Sequence, residues 1–167
     1  MLCTVLAHRS LEKRIREGRP ARRFLTRQTL TVLLIAGVVA HLAGQTKSTR
    51  SVWDGIYTDA QAARGDAGYR DACLSCHGAK LDGHGQAPPL AGSDFTSNWN
   101  GMSVGDLLDK IQTSMPADRP GQLSAQQNAE ILAYILQFNQ FPAGASGMPA
   151  DAAALKDVRF EAQRPVR

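Results

Sequence analysis

At 167 residues, the chain has room for one domain of ordinary size and an additional segment. Its hydrophobic fraction of 43% suits a globular protein, and with 15 glycines and three cysteines nothing suggests a collagen-like or disulfide-rich class. Residues 1–44 have a net charge of +6, from eight basic and two acidic side chains, whereas the remaining 123 residues have a net charge of −2. Because the basic character is confined to the N-terminus, we predict no nucleic-acid partner.

The first 44 residues have the order expected of an export signal. A basic stretch ends at Arg27, and an apolar run from Leu30 to Gly44 follows it. Small residues around Ala40 offer a cleavage site, but the uncharged stretch 28–46 also approaches the about 20 residues that cross a bilayer. We therefore predict a periplasmic protein in which residues 1–44 are either a cleaved signal sequence or a membrane anchor. Only such an anchor would bring the protein to a membrane.

The exported part is predicted to begin with a lead-in segment over 45–57 and to continue as a helical domain over 58–142. Thr58 is a good N-cap for an alanine-rich helix that runs into Cys73. Residues 78–100 are rich in Gly, Pro, Asn and Ser, and they predict a long loop without β alternation. A loop of this length suits a compact domain only if it wraps a ligand.

Two further helices are predicted from capping signals. Ser103 and Asp106 form a capping box before an amphipathic helix, which is broken at Pro116. Ser124 and Gln127 form a second capping box before the apolar segment AEILAYILQF, which should be buried.

The segment 143–167 is rich in Ala, Gly and Pro and is predicted to be a mobile tail. Taken together, the elements predict an all-α protein with three main helices and long loops. So little regular structure cannot fill the interior of the domain, which indicates a large apolar cofactor in its middle.

The residues with a clear chemical signature are CLSCH, over 73–77, which is the attachment motif of c-type haem. Two thiols three residues apart at a helix end can reach the two vinyl groups of one porphyrin, and the adjacent histidine then lies under the iron. We therefore predict one covalent haem c held by Cys73 and Cys76, with His77 as an iron ligand. A zinc site would need four ligands, and outside the N-terminal segment only His84 could join Cys73, Cys76 and His77. His84 has a glycine on either side and is interpreted as a solvated loop residue, so a zinc site is disfavoured. A redox cysteine pair would need a βαβ pattern, which the sequence lacks.

The second axial ligand decides the chemistry of such a haem. Methionine indicates an electron carrier, histidine a low-potential carrier, and an open position gas or peroxide chemistry. Met102 lies just before a helix cap and is interpreted as a packing residue, and Met148 lies in the predicted tail. Met115 stands at a helix break before Pro116, where its thioether can reach the iron, so Met115 is the predicted ligand.

Over residues 58–140 the chain resembles the class I c-type cytochromes. Their N-terminal helix carries three residues at four-residue spacing, here Gly65, Tyr69 and Cys73. Ile131 and Tyr134 resemble their C-terminal helix, which crosses the first helix at the glycine. The segment 114–116 resembles their methionine-ligand loop.

The segment APPLAG, over 87–92, resembles the Pro-x-Leu segment of these cytochromes. The resemblance implies that the Pro88 carbonyl accepts the free ring N–H of His77 and that Leu90 packs on the porphyrin. Trp99 falls where some members direct an aromatic N–H toward a haem propionate, although an ordinary core position for Trp99 is equally compatible with the sequence.

The resemblance implies a small class I cytochrome c-like fold wrapped around one haem, with His77 and Met115 as axial ligands. It also implies an electron carrier, without catalytic residues, that passes single electrons in a periplasmic respiratory or dehydrogenase-linked chain. Its partners would be a dehydrogenase as donor and a terminal oxidase or another cytochrome as acceptor. The segments 53–55 and 139–142 also resemble single-haem cytochromes that accompany quinoprotein dehydrogenases. The alternative is an enzyme or sensor whose iron has an open position.

Overall fold

A computed structural model of the chain describes residues 50–166, so the predicted signal or anchor (1–44) and the first part of the lead-in lie outside the described residues. The helices are α1 (Asp59–Ala72), α2 (Leu74–His77), α3 (Gly92–Trp99), α4 (Val104–Ser114) and α5 (Ala125–Phe138). Two strands of two residues each, β1 (Arg50–Ser51) and β2 (Val158–Arg159), pair in parallel, and 3₁₀ helices span Val52–Asp54 and Ala152–Leu155. The predicted all-α fold is confirmed, and its three main helices are α1, α4 and α5. None of the helices within 50–166 has the length and hydrophobicity to cross a membrane.

The three main helices begin at the predicted caps. The hydroxyl groups of Thr58, Ser103 and Ser124 each accept a hydrogen bond from the backbone N–H three residues later. In each case the side chain at that third position accepts a bond from the cap's own N–H in return, which completes a capping box. Each cap satisfies N–H groups that the helix leaves unpaired, and its replacement by alanine costs about 1 kcal/mol.

Helices α1 and α5 form the most extensive contact between elements in the described part of the chain, and they meet at Gly65. A Cβ atom placed on Gly65 would lie 1.8 Å from the carbonyl oxygen of Glu130 and 3.0 Å from the Cβ of Tyr134. Only glycine therefore allows the two backbones to approach this closely. One turn further along, the rings of Tyr69 and Tyr134 pack with their centroids 5.3 Å apart.

The prediction of a loop over 78–100 is wrong in its second half, where Gly92–Trp99 forms helix α3. Its sequence, GSDFTSNW, has weak helix formers, and its N-cap Ala91 supplies no side-chain hydrogen bond. Phe95 is buried, and its ring meets the ring of Phe160 edge-on at a centroid distance of 5.8 Å. Tertiary packing therefore stabilises a helix that local propensity does not predict.

The predicted mobile tail over 143–167 is also corrected by the structure, which places most of this segment against the core. Met148, Leu155, Val158 and Phe160 are each at most 3% exposed. Strand β2 pairs with β1 of the lead-in, and the indole N–H of Trp53 donates to the carbonyl of Glu161. The prediction of mobility rested on the high content of Ala, Gly and Pro. The four apolar residues of this segment are buried only through contacts with residues distant in the chain, which composition does not reveal.

The α1–α5 contact predicts that Gly65→Ala lowers the free energy of unfolding by about 3 kcal/mol, since overpacking against a backbone carbonyl cannot be relieved by a rotamer change. Urea unfolding of the holoprotein measures this loss. Gly68→Ala in the same helix is the control, because its Cβ would meet only the flexible side chain of Ile131, at 3.2 Å. A loss for Gly65→Ala no larger than that for Gly68→Ala would contradict the close backbone contact.

Candidate functional site

An apolar cavity of about 750 Å³ lies among the helices. Apolar side chains from α3, α4 and α5 form much of its wall: Phe95, Leu107, Ile111, Ile131 and Ile135. Protein interiors are close-packed and rarely contain voids larger than a water molecule. A cavity of this size and character is a binding site for a large, mostly apolar molecule.

The structure brings the seven predicted site residues to this one cavity. The cavity is lined by Cys73, Cys76, His77, Pro88, Leu90, Trp99 and Met115. They come from the end of α1, from α2, from the loop before α3, from the end of α3 and from the end of α4. Met102 lines the same cavity, whereas Met148 is a buried residue of the C-terminal segment and is not part of the wall.

The two cysteines of the motif flank the junction of the first two helices. Cys73 ends α1 and precedes α2, and Cys76 lies within α2. Both are free thiols, with Cys73 partly buried and Cys76 exposed. Burial raises the pKa of Cys73 to about 11, and the nearby charge of Cys76 contributes a smaller part of this increase. The Cys73 thiol of the polypeptide is therefore protonated at neutral pH.

His77 is oriented by a hydrogen bond to the backbone. Its side chain is buried, and its Nδ1 lies 2.9 Å from the carbonyl oxygen of Pro88, as the resemblance implies. A carbonyl oxygen can only accept, so Nδ1 carries the proton and donates it. The other ring nitrogen, Nε2, then keeps its lone pair and is available to a metal ion.

The loop that supplies Pro88 is fixed at both ends. At its start, the Tyr69 hydroxyl donates to the Gly78 carbonyl at 2.7 Å, and burial of Tyr69 raises its pKa, which keeps this hydroxyl protonated. At its end, the Asn139 side-chain amide donates to the Leu90 carbonyl at 2.9 Å. Both bonds come from the crossing helices or their ends, so the helix pair holds the carbonyl that orients the histidine.

Met115 forms the C-cap of α4, and its N–H donates to the Ile111 carbonyl at 3.0 Å. Its side chain is half-buried, and it is joined by a cis peptide bond to buried Pro116. Met102, the other methionine of the wall, is 44% exposed. The half-buried Trp99 also lines the cavity, and within residues 50–166 no group accepts a hydrogen bond from its indole N–H.

Several residues of the cavity wall were not predicted as site residues from the sequence. Leu107 with Ile111, and Ile131 with Ile135, are spaced four residues apart, so they share a helix face, and this periodicity could have placed both pairs at the site. Phe95 gave no such signal because it lies in the helix that was predicted as loop.

The charged residues of the wall are balanced in sign: Asp71, Lys110, Asp118 and Arg119. Arg119 pairs with Asp118 at 3.1 Å, but both side chains are more than half exposed, so the pair contributes little to stability. The Lys110 ammonium has no ion-pair partner within the described part of the chain. Two acidic and two basic side chains leave the charges of the wall balanced, with no net charge.

Comparison with known proteins gives one family and one structural likeness. Residues 60–135 match the family model described as cytochrome c oxidase, cbb3-type, subunit III. No curated protein matches the chain. The crystal structure of the sulfane dehydrogenase SoxCD from Paracoccus pantotrophus is 23% identical, with 68% of this chain and 61% of that chain covered and a TM-score of 0.42. This chain thus spans less than two thirds of that one, and the likeness is too weak to carry a functional conclusion.

The family match covers α1 from its second residue, the CLSCH motif, the residues that line the cavity and the first 11 of the 14 residues of α5. Within that range, the helix crossing at Gly65 and the hydrogen bond from His77 to the Pro88 carbonyl have the arrangement that a cytochrome c needs. The family match and this geometry together support a class I c-type cytochrome domain over residues 60–135, a kind of domain that binds haem c and transfers electrons.

Proposed function

We propose that the protein carries single electrons on one haem c, bound covalently through thioethers to Cys73 and Cys76, with His77 and Met115 as the axial ligands of its iron. The observation that supports this most strongly is that all four residues line one apolar cavity. The protein would act as a carrier, either diffusible or as the cytochrome subunit of a dehydrogenase complex, rather than as an enzyme.

The donor set suits a haem. The cavity wall is largely apolar, as a porphyrin ring requires, and it has two thiols, one at the α1–α2 junction and one within α2. The free Nε2 of His77 and the thioether of Met115 are both good iron ligands. The indole N–H of Trp99, which lacks a partner within residues 50–166, would then donate to a propionate.

The bound haem would supply the one-electron couple between ferric and ferrous iron. The chain's residues then set the balance between the two states. The soft thioether of Met115 favours the ferrous state relative to a second nitrogen ligand. The Pro88 carbonyl, which holds the Nδ1 proton, makes His77 a more basic ligand and fixes its plane.

The proposed setting is a periplasmic chain, with a dehydrogenase as donor and a terminal oxidase or another cytochrome as acceptor. Residues 50–166 carry 9 basic and 13 acidic side chains, and the charges around the cavity are mixed in sign. Docking by a surface of this kind is expected to be weak and transient, with little steering by long-range charge.

Covalent attachment predicts that the protein, exported by a host that attaches haem, has the mass of the polypeptide plus one haem. Mass spectrometry of the purified protein measures this, and its colour reports the same. The double variant Cys73→Ser/Cys76→Ser should be colourless and have the mass of the bare polypeptide. Ser75→Ala is the control, because Ser75 lies between the cysteines without a thiol to attach, and it should keep the haem. A parent protein at bare mass would overturn the proposal.

Methionine ligation predicts that Met115→Ala creates an iron that binds carbon monoxide in the ferrous state, while the parent protein does not. The absorption spectrum under carbon monoxide measures the change. Met102→Ala is the matched control, since Met102 lines the same cavity but is 44% exposed. The ferrous iron of this variant should not bind carbon monoxide. If Met102→Ala opened the iron and Met115→Ala did not, the ligand would be Met102. If the parent protein bound carbon monoxide readily, the sensor or enzyme alternative would replace the carrier.

A further inference from the structure

The segment 148–162, which we call the C-terminal strap, lies beyond the residues that match the cytochrome family. It is anchored at its start by buried Gln61 of α1, whose side-chain amide donates to the Met148 carbonyl at 2.9 Å and accepts from the Met148 N–H at 2.7 Å. Leu155 and Phe160 anchor the rest, because each is at most 1% exposed. The strap is therefore part of the fold, and its contacts define what it does.

The strap lies along α4, the helix that ends at Met115. A Cβ atom on Gly105 would lie 2.4 Å from the carbonyl oxygen of Ala152 and 2.9 Å from the backbone nitrogen of Lys156, so the strap backbone touches the helix backbone. Further along α4, the Gln112 side-chain amide donates to the Ala150 carbonyl at 2.9 Å. These contacts fix α4 near both of its ends.

Two charged groups add to this contact. The Lys156 ammonium donates to the Asp106 carboxylate in the first turn of α4. The hydrogen bond from Lys156 and, to a smaller extent, those from Ser103 lower the pKa of Asp106 to about 2. The carboxylate therefore stays charged at neutral pH. Both side chains are substantially exposed, so this pair adds less than the backbone contact does.

The strap also holds the loop between α3 and α4. The Gly101 N–H donates to the Phe160 carbonyl, and the Phe160 N–H donates to the Met102 carbonyl, both at 2.8 Å. The Phe160 ring packs edge-on against Phe95, which lines the cavity. None of the residues of the strap lines the cavity itself. Its influence on the site must pass through α3, α4 and the loop between them.

We infer that the C-terminal strap is a positioning element that holds α4 in place and so keeps the Met115 thioether on the iron, an inference that rests on the proposed function. The CLSCH side of the site does not need such a brace, since covalent thioethers and the α1–α5 crossing hold it. On the methionine side, one coordinate bond depends on where α4 ends. Separation of the strap from α4 would let the end of α4 move, so Met115 would no longer hold the iron and an external ligand could take its place.

The test is binding of imidazole to the ferric holoprotein, in which a nitrogen–iron bond replaces the sulfur–iron bond. Gly105→Ala would push the Ala152–Lys156 backbone away from α4. Alanine is also a better helix former than glycine, so the change does not weaken the helix itself. We expect the apparent dissociation constant of imidazole to fall about tenfold, because that constant scales inversely with the population of the open state. The absorption band of thioether-ligated ferric haem should weaken in parallel.

Controls separate this role from a loss of stability alone. Thr58→Ala removes the cap of α1, far along the chain from α4, and should lower the free energy of unfolding without changing imidazole binding. Met115→Ala gives the limit of a fully open position. If Gly105→Ala proved too unstable to purify, Leu155→Ala, which removes an anchor of the strap, should shift imidazole binding in the same direction.

The outcomes distinguish the inference from the proposed function. If Met115→Ala bound imidazole far more tightly than the parent while Gly105→Ala and Leu155→Ala matched the parent, the strap would have no positioning role and methionine ligation would stand. An equal shift in Thr58→Ala would attribute the effect to global stability and would also overturn the inference. If Met115→Ala and the parent bound imidazole alike, the proposed ligand itself would be wrong.

Discussion

The backbone contact between Gly65 of α1 and the Glu130 carbonyl of α5 is the constraint on which the site depends. Because no side chain separates the helices there, backbone atoms fix their distance and their relative rotation, and backbone atoms cannot adapt as side chains do. Cys73 follows about two turns further along α1, and α2 with His77 comes directly after it. The crossing therefore sets where the thiols and the imidazole lie relative to Ile135 of α5, which lines the same cavity.

The size of the cavity makes the cofactor part of the fold. A cavity of about 750 Å³ left without a large apolar occupant would cost on the order of 15–20 kcal/mol, at roughly 24 cal/mol per Å³. That is an upper bound, because water can enter and the wall can relax, but even a fraction of it is comparable with the about 5–15 kcal/mol that stabilises an ordinary domain. The side chains facing the cavity lose their dispersion contacts when nothing packs against them. An occupant that fills the cavity therefore stabilises the fold, and the covalent attachment that we propose would keep it from being lost.

The sequence predicted those features that depend on few residues close together. The three capping boxes need only a pair of side chains three residues apart, and the CLSCH motif sets its own chemistry within five positions. Helix α3 and the packed C-terminal segment were missed because both depend on contacts distant in the chain, above all the meeting of Phe95 with Phe160. Neither GSDFTSNW nor the Ala- and Pro-rich end carries a local signal of this partnership. The contact exists only once α4 and the loop before it have placed the two rings together.

The two sides of the site are held in different ways. On one side, the helix crossing, the bond from Tyr69 to the Gly78 carbonyl and the bond from His77 to the Pro88 carbonyl act within a single contact region. On the other, Met115 follows a helix whose backbone contacts a segment outside the family match. Local opening takes place where the fewest buried contacts must be broken, so it should begin on the methionine side. If Met115 is the iron ligand that we propose, the histidine side would remain intact while the methionine side exchanges, and ligand exchange could be tuned without altering the motif that attaches the haem.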